Sequence, residues 1–275
     1  MKTNRHNQML RAKPWVFKRF RGPQARRRFW SEVLTRKMLE GCDLDYIPIL
    51  ASIPSLRLLV LPWVEVKAIS WGRELLSRFA HHVASLGDSL AFTNDLTRCG
   101  WLDRPEKMAS FDSFSYFLQV QATGYQNRFG SSLLNERERR YLLHLFDQCK
   151  NTNPSTMALT DCSQKNVFIS NNGFWHYDFE ATLIAPRDTF LTKVALNLVR
   201  DAHASERDGA LAAARYLLSQ SENKPLVLAS LAFFLLRMAI YARVWGGEVV
   251  NPSAALNCLV AGGSDIEIIG KIHDD

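Results

Sequence analysis

Bulky apolar residues flank one charged pair in Trp15–Phe20 (WVFKRF), a pattern that predicts a short strand. Gly22-Pro23 breaks it, and residues 26–39 then place Phe29, Val33, Leu34 and Met38 at helical spacing, with a stop at Gly41. Residues 46–52 and 56–61 predict two more strands, separated by Pro54-Ser55. After Pro62 the chain runs through WVEV into a helix over residues 71–90. The front of the chain is therefore rich in strands and carries one helix.

The remainder predicts helices at 111–128, 135–150, 187–202, 209–219 and 226–245. The exception is 157–179, where VFIS (167–170) and FWHYDF (174–179) flank Asn171-Asn172-Gly173. Asn and Gly tolerate positive φ, so this reads as a tight hairpin. A strand-rich front, a connector at 62–66 and a helical rear with one embedded hairpin make an α+β, two-part pattern. The most apolar stretch, 225–245, is interrupted by Arg237 and falls short of the ~20 apolar residues that a membrane span needs. It predicts a buried helix.

Composition narrows the class. Of 275 residues, 47% are hydrophobic and 22% charged, as in ordinary globular proteins. The net charge is +7, and no carboxylate precedes Glu32. Such a basic face attracts phosphates or an anionic membrane surface, or is simply solvated. No aromatic-plus-basic RNA signature accompanies it, so specific nucleic-acid binding is not expected. The cysteines, Cys42, Cys99, Cys149, Cys162 and Cys258, are scattered and form no CxxC pair, which argues for a reducing, cytoplasmic setting rather than a disulfide or zinc framework.

The chemistry concentrates in residues 159–188. Asp161 is followed five positions later by Asn166, then by the hairpin, then by Asp178-Phe179-Glu180. Phosphoryl transfer needs a carboxylate beside the attacking hydroxyl and oxygen ligands for Mg²⁺ on the phosphates. A hairpin between Asn166 and Asp178 would bring those groups together. Taken singly, each of these residues also fits a turn, a cap or a strand end. Their joint spacing favours the site.

This segment resembles the catalytic region of aminoglycoside phosphotransferases and choline kinases, whose usual form is His-Gly-Asp-x-x-x-x-Asn, a strand, a turn and Asp-Phe-Glu or Asp-Trp-Glu. The resemblance implies a protein-kinase-like two-lobed fold, with a small, shortened N-terminal sheet lobe (1–64) and a larger helical C-terminal lobe (65–275). It implies ATP and Mg²⁺ as cofactors, Asp161 as base or hydroxyl-orienting residue, and Asn166 and Asp178 as metal ligands. Lys18 and Glu32 match the strand Lys and helix Glu that hold the α/β-phosphates. LLVLPWVEV (58–66) is similar to the strand and hinge that hold adenine, through Pro62, Trp63 and Val64. Glu180 and Ser163 point to the small-molecule branch. The implied acceptor is a small molecule or glycan, anionic in view of the basic surface. Lipopolysaccharide-core sugar kinases form a credible subclass, and peripheral contact with the inner face of an anionic membrane fits the same charge.

Two departures stand out. Leu159-Thr160 replaces the usual His-Gly, and no glycine precedes Gly22, so a glycine-rich phosphate loop is missing. Thr3-Asn4-Arg5 resembles the remnant of a Thr-Asn turn, with 9–12 as the strand that follows. Either the phosphate lid is reduced, the true start lies upstream, or basic N-terminal side chains hold the phosphates. The alternative function is a degenerate kinase-fold protein that binds nucleotide or a partner without catalysis. His81 and His82, adjacent on a helix, point to different faces, and His176, two residues before Asp178, is expected on the same strand face. Cys162 has no evident His partner and reads as packing.

Overall fold

The computed structural model describes residues 7–22, 24–42, 44–65, 69–91, 98–103, 110–129, 134–170, 173–245 and 252–273. The Thr3-Asn4-Arg5 turn and the Asn171-Asn172 tip lie outside these residues.

The front is a four-stranded antiparallel sheet of order β1-β2-β4-β3, built from β1 (Asn7–Ala12), β2 (Trp15–Phe20), β3 (Ala51–Ile53) and β4 (Leu58–Pro62). Helix α1 (Ala25–Leu39) intervenes between β2 and β3. Alternation along β2 and β4 turns Lys18, Phe20, Leu59 and Leu61 inward, where Phe20, Leu59 and Leu61 form a small core with Phe29, Ile47 and Phe168. The predicted strand over 46–52 shrinks to β3. Pro48 cannot donate to a ladder, and the preceding segment bonds the rear hairpin instead, Ile47 N donating to His176 O at 3.1 Å.

The rear holds α2 (Arg73–Ser89), the short β5 (Gly100–Trp101), α3 (Phe114–Phe129) and α4 (Glu136–Asp147). Strand β6 (Thr156–Leu159) follows, then the hairpin β7 (Val167–Ser170) and β8 (Gly173–His176), and β9 (Thr182–Ala185). Strands β5, β9 and β6 form a three-stranded sheet. Helices α5 (Arg187–Asp201), α6 (Arg207–Ser219), α7 (Lys224–Trp245), α8 (Pro252–Val260) and α9 (Asp265–Gly270) complete the chain. Helix α5 is buried continuously from Asp188 to Val199, which makes it the centre of the main core. Helix α7 packs its apolar residues into the same core, and among the described residues no helix is long and apolar enough to cross a membrane. Strands β5 and β9 and helices α8 and α9 went unpredicted, because they are too short to show a period.

Candidate active site

Lys18 projects from the inner face of β2 into a nearly closed space. Its Nζ lies 3.3 Å from Glu32 Oε1, 3.1 Å from Asp178 Oδ1 and 2.8 Å from Glu180 Oε1. Burial works against its charge, but Asp178, Glu32 and Glu180 together raise its pKa above that of an ordinary lysine. Glu32 on α1 is fully buried, as the helical reading of 26–39 requires of an inward position. Arg36, one turn later, sits 2.8 Å from its Oε1, and Phe179 N donates to its Oε2 at 2.9 Å. Burial alone would raise the Glu32 pKa; Lys18 and Arg36 hold it below the usual carboxylate value.

The front helix is thereby tied to the segment after the hairpin. Arg36 donates to Ile47 O at 2.7 Å and to Tyr177 O at 3.0 Å, and its guanidinium lies 4.7 Å from the Phe179 ring. Ser31 Oγ donates to Phe179 O at 3.0 Å and accepts from Thr182 N at 3.1 Å. Arg28 reaches Glu180 Oε2 at 3.1 Å and Asn7 Oδ1 at 2.9 Å, and Asn7 also donates to Glu180.

Asp161 and Asn166 occupy the loop between β6 and β7. Asn166 Nδ2 donates to Asp161 O at 2.8 Å, and Tyr177 N, beside Asp178, donates to Asn166 O at 3.2 Å. From below, Asn197 Nδ2 on α5 donates to Thr160 O at 3.0 Å and to Cys162 O at 2.9 Å. Thr160, where a His-Gly pair is usual in the resembling enzymes, bonds Ala181 O through its amide at 3.1 Å and through its hydroxyl. Burial raises the Asp161 pKa; Lys193 opposes this, Glu180 adds to it, and Arg200 and Arg237 oppose it. Burial likewise raises Asp178 well above an ordinary aspartate, against Lys18 and with Glu180, Glu32 and Asp161 adding.

Carboxylate oxygens of Glu32, Asp178 and Glu180 lie within 4.8 Å of one another. Hard oxygen donors of this kind suit Mg²⁺. Glu32 is engaged by Arg36 and the Phe179 amide and Glu180 by Arg28 and Asn7, so Asp178, paired with Lys18 and the most exposed of the three, is the carboxylate best placed to turn toward a cation. At Pro62–Val64 the main chain carries a constraint that the sequence did not reveal. Trp63 N donates to Pro14 O at 2.8 Å, so this amide, which the resemblance places at the hinge, is already paired with the β1–β2 turn. The Trp63 ring lies 5.6 Å from the Arg11 guanidinium and 5.5 Å from Lys13 Nζ, and its buried Nε1 has no partner among the described residues.

Two expectations change. Strand β8 ends at His176, so His176 and Asp178 do not share a face: His176 Nε2 meets His82 Nε2 at 3.1 Å, while Asp178 meets Lys18. Cys162 does have a histidine neighbour, with Sγ 3.9 Å from His176 Nδ1. Burial raises the thiol pKa strongly and, with His82, depresses His176 to about 3, so both groups are neutral and inert. Sequence reasoning passed over Arg36, Asn197 and Glu180 as site residues. The first was visible as an i,i+4 partner of Glu32, the second as a lone amide within the apolar run VALNLV.

The chain has the protein-kinase-like fold. Among solved structures it is similar to the choline kinase LicA from Streptococcus pneumoniae, at 12% identity over 98% of this chain and 91% of that one, with a TM-score of 0.61. The gentamicin complex of the aminoglycoside phosphotransferase APH(2")-IIa gives 12% identity over 98% and 92%, with a TM-score of 0.59. The macrolide 2'-phosphotransferase MphH from Brachybacterium faecium gives 12% over 94% and 89%, with a TM-score of 0.54. No protein-family model and no curated protein sequence matches the chain.

Proposed function

We propose that this chain moves the γ-phosphoryl group of ATP to a hydroxyl of a small molecule or glycan, with Mg²⁺ as its metal and an anionic acceptor. The observation that carries this reading is Lys18 Nζ held between Glu32 and Asp178, three charges drawn from a strand, a helix and a post-hairpin segment far apart in sequence. In this reading residues 1–64 form the nucleotide-holding lobe and 65–275 the lobe that carries the acceptor. Lys18 exchanges carboxylate oxygens for α/β-phosphate oxygens, and Glu32, anchored by Arg36 and the Phe179 amide, keeps it oriented. Asn166 and Asp178 would hold Mg²⁺, which when bound supplies positive charge to the phosphate oxygens. Asp161 orients the acceptor hydroxyl and takes its proton as the new O–P bond forms and the β–γ bridging bond breaks, releasing ADP.

The anionic acceptor rests on the cations around Asp161. Arg200 and Arg237 both act on its carboxylate, whereas burial pushes the pKa of the neighbouring Lys193 well down; aminoglycosides are themselves cations. A reducing, cytoplasmic setting fits the free cysteines. Asp161→Asn is expected to lower phosphotransfer from γ-labelled ATP by about 10²–10⁴-fold while nucleotide binding is kept. Full activity in that variant would remove Asp161 from its assigned role.

A second reading, a kinase-fold protein that binds nucleotide or a partner without catalysis, is favoured by the front hairpin. Its turn carries Ala12-Lys13-Pro14 rather than glycines, and Pro14 O occupies the Trp63 amide. Nucleotide binding with no phosphotransfer to any acceptor would select it.

A further inference from the structure

Seven large apolar side chains are markedly exposed among the described residues, and five of them, Leu10, Trp15, Leu50, Ile53 and Leu56, lie in or beside the front sheet. Strand register puts three on one face. Leu10 pairs with Phe17, Phe17 with Val60, and Val60 with Ala51, one apolar row across all four strands. The next rows on that face are Trp15 with Pro62, and Arg19 with Leu58 and Ile53. The opposite face, with Lys18, Phe20, Leu59 and Leu61, is the one that packs inward. Leu10 at 55% and Trp15 at 48% exposure are therefore not rim residues of a core but the solvent side of a sheet that is apolar on both sides. An antiparallel sheet with one free face ordinarily alternates apolar-in and polar-out, and a contiguous exposed apolar patch marks an interaction surface.

Charge says what covers it. None of the four strands contains a carboxylate. Arg19 lies on the outer face itself, Arg57 follows Leu56 in the β3–β4 connection, and Lys13 lies in the β1–β2 turn two residues before Trp15; all three are exposed. Cations thus stand at both ends of the apolar rows. Two copies of this face would set like charges against each other, whereas an anionic lipid surface meets both features at once. Aliphatic tips enter the acyl boundary, basic side chains stay among the headgroups, and a tryptophan ring sits at headgroup level. We propose that the outer face of the β1-β2-β4-β3 sheet docks the protein on an anionic phospholipid bilayer. This inference stands apart from the phosphotransfer reading, since Leu10, Trp15, Arg19 and Arg57, the residues that its test changes, lie outside the proposed site.

The test is sedimentation of the full chain with vesicles of phosphatidylcholine alone, or with one-third phosphatidylglycerol, at low and high salt. The proposal expects at least about tenfold stronger partitioning onto the anionic vesicles, weakened by salt. Leu10→Asn with Trp15→Ser should reduce it at least about tenfold. Arg19→Glu with Arg57→Glu should remove its salt-sensitive part. All the positions are exposed, so far-UV circular dichroism and the melting midpoint should stay unchanged in these variants. Equal partitioning onto neutral and anionic vesicles would overturn the proposal, as would no partitioning or indifference to Leu10 and Trp15. So would self-association in the ultracentrifuge that the Leu10/Trp15 variant abolishes, because the face would then belong to a second copy. Vesicle binding without any response to ATP and Mg²⁺ would sink only the phosphotransfer reading.

Discussion

The front sheet with α1 and the rear helices are held together by different physics. The rear core, centred on α5 and α7, is mainly aliphatic and aromatic, with Phe190, Leu191, Phe233 and Leu235 fully enclosed and only a few polar side chains such as Lys193 and Asn197 buried on α5. At the front a handful of apolar residues share the interior with Lys18, Glu32 and Arg36, all nearly inaccessible. Those charges reach across to Tyr177, Asp178, Phe179 and Glu180, so the front is fixed to the rear at the very segment that carries the proposed chemistry. A buried ionic cluster of this kind costs desolvation that a packed apolar core avoids. Its presence makes sense where charge has work to do, as at the site proposed to hold phosphates and a cation. The rear supplies the rigidity against which the front is positioned.

The comparison is broken most strongly in the rear. Phe190→Ala opens a cavity in the main core and is expected to cost about 3–5 kcal/mol of unfolding free energy, measured by urea denaturation, with the ligand response surviving in whatever fraction stays folded. Arg36→Met attacks the front. It takes one of two cations from Glu32 and leaves Ile47 O and Tyr177 O without this donor, an expected loss of about 3 kcal/mol, the lower end for a broken buried pair because Lys18 remains. Unlike Phe190→Ala, it should also blunt the response to nucleotide. A loss below the detection limit would show that the ionic cluster does not fasten the front.

A smaller effect sharpens the boundary between the regions, where His82 and His176 meet beneath the hairpin. His176 is held neutral, with a pKa of about 3 against ~6.5 in an unfolded chain. The unfolded state therefore takes up a proton below about pH 6.5 that the folded state refuses, and stability falls as pH falls. Between pH 7 and 5 this amounts to about 2 kcal/mol. His176→Gln should flatten that slope, read from urea midpoints at the two pH values, whatever it does to the baseline.

How much of this was legible depends on how local the signal is. The hairpin, Asp161, Asn166 and Asp178 lie within one short segment whose spacing is readable along the chain, and Lys18 and Glu32 fall on a strand and a helix with clear patterns. Each of α1 to α7 was predicted from the sequence, but β5 and β9 span two and four residues and carry no period. The pairing of Trp63 N with Pro14 O, the Asn197 amide under the β6–β7 loop and the His82–His176 contact join distant segments. Nothing in local spacing announces such contacts. The exposed apolar face was hidden for a further reason: WVFKRF predicts a strand, and its apolar residues do not by themselves say which face is covered.

The central claim is that Lys18, Glu32 and Asp178 form a site for Mg²⁺ and ATP. Thermal unfolding with ATP alone, Mg²⁺ alone and both together, for the wild type and Asp178→Asn, tests it most directly. Both ligands at ~100 times their dissociation constants should add about 2.7 kcal/mol, a rise of several degrees in the midpoint. The account predicts that this rise needs both ligands and disappears in Asp178→Asn; an unmoved wild-type midpoint at saturating Mg²⁺ and ATP, or an equal rise in the variant, would contradict it.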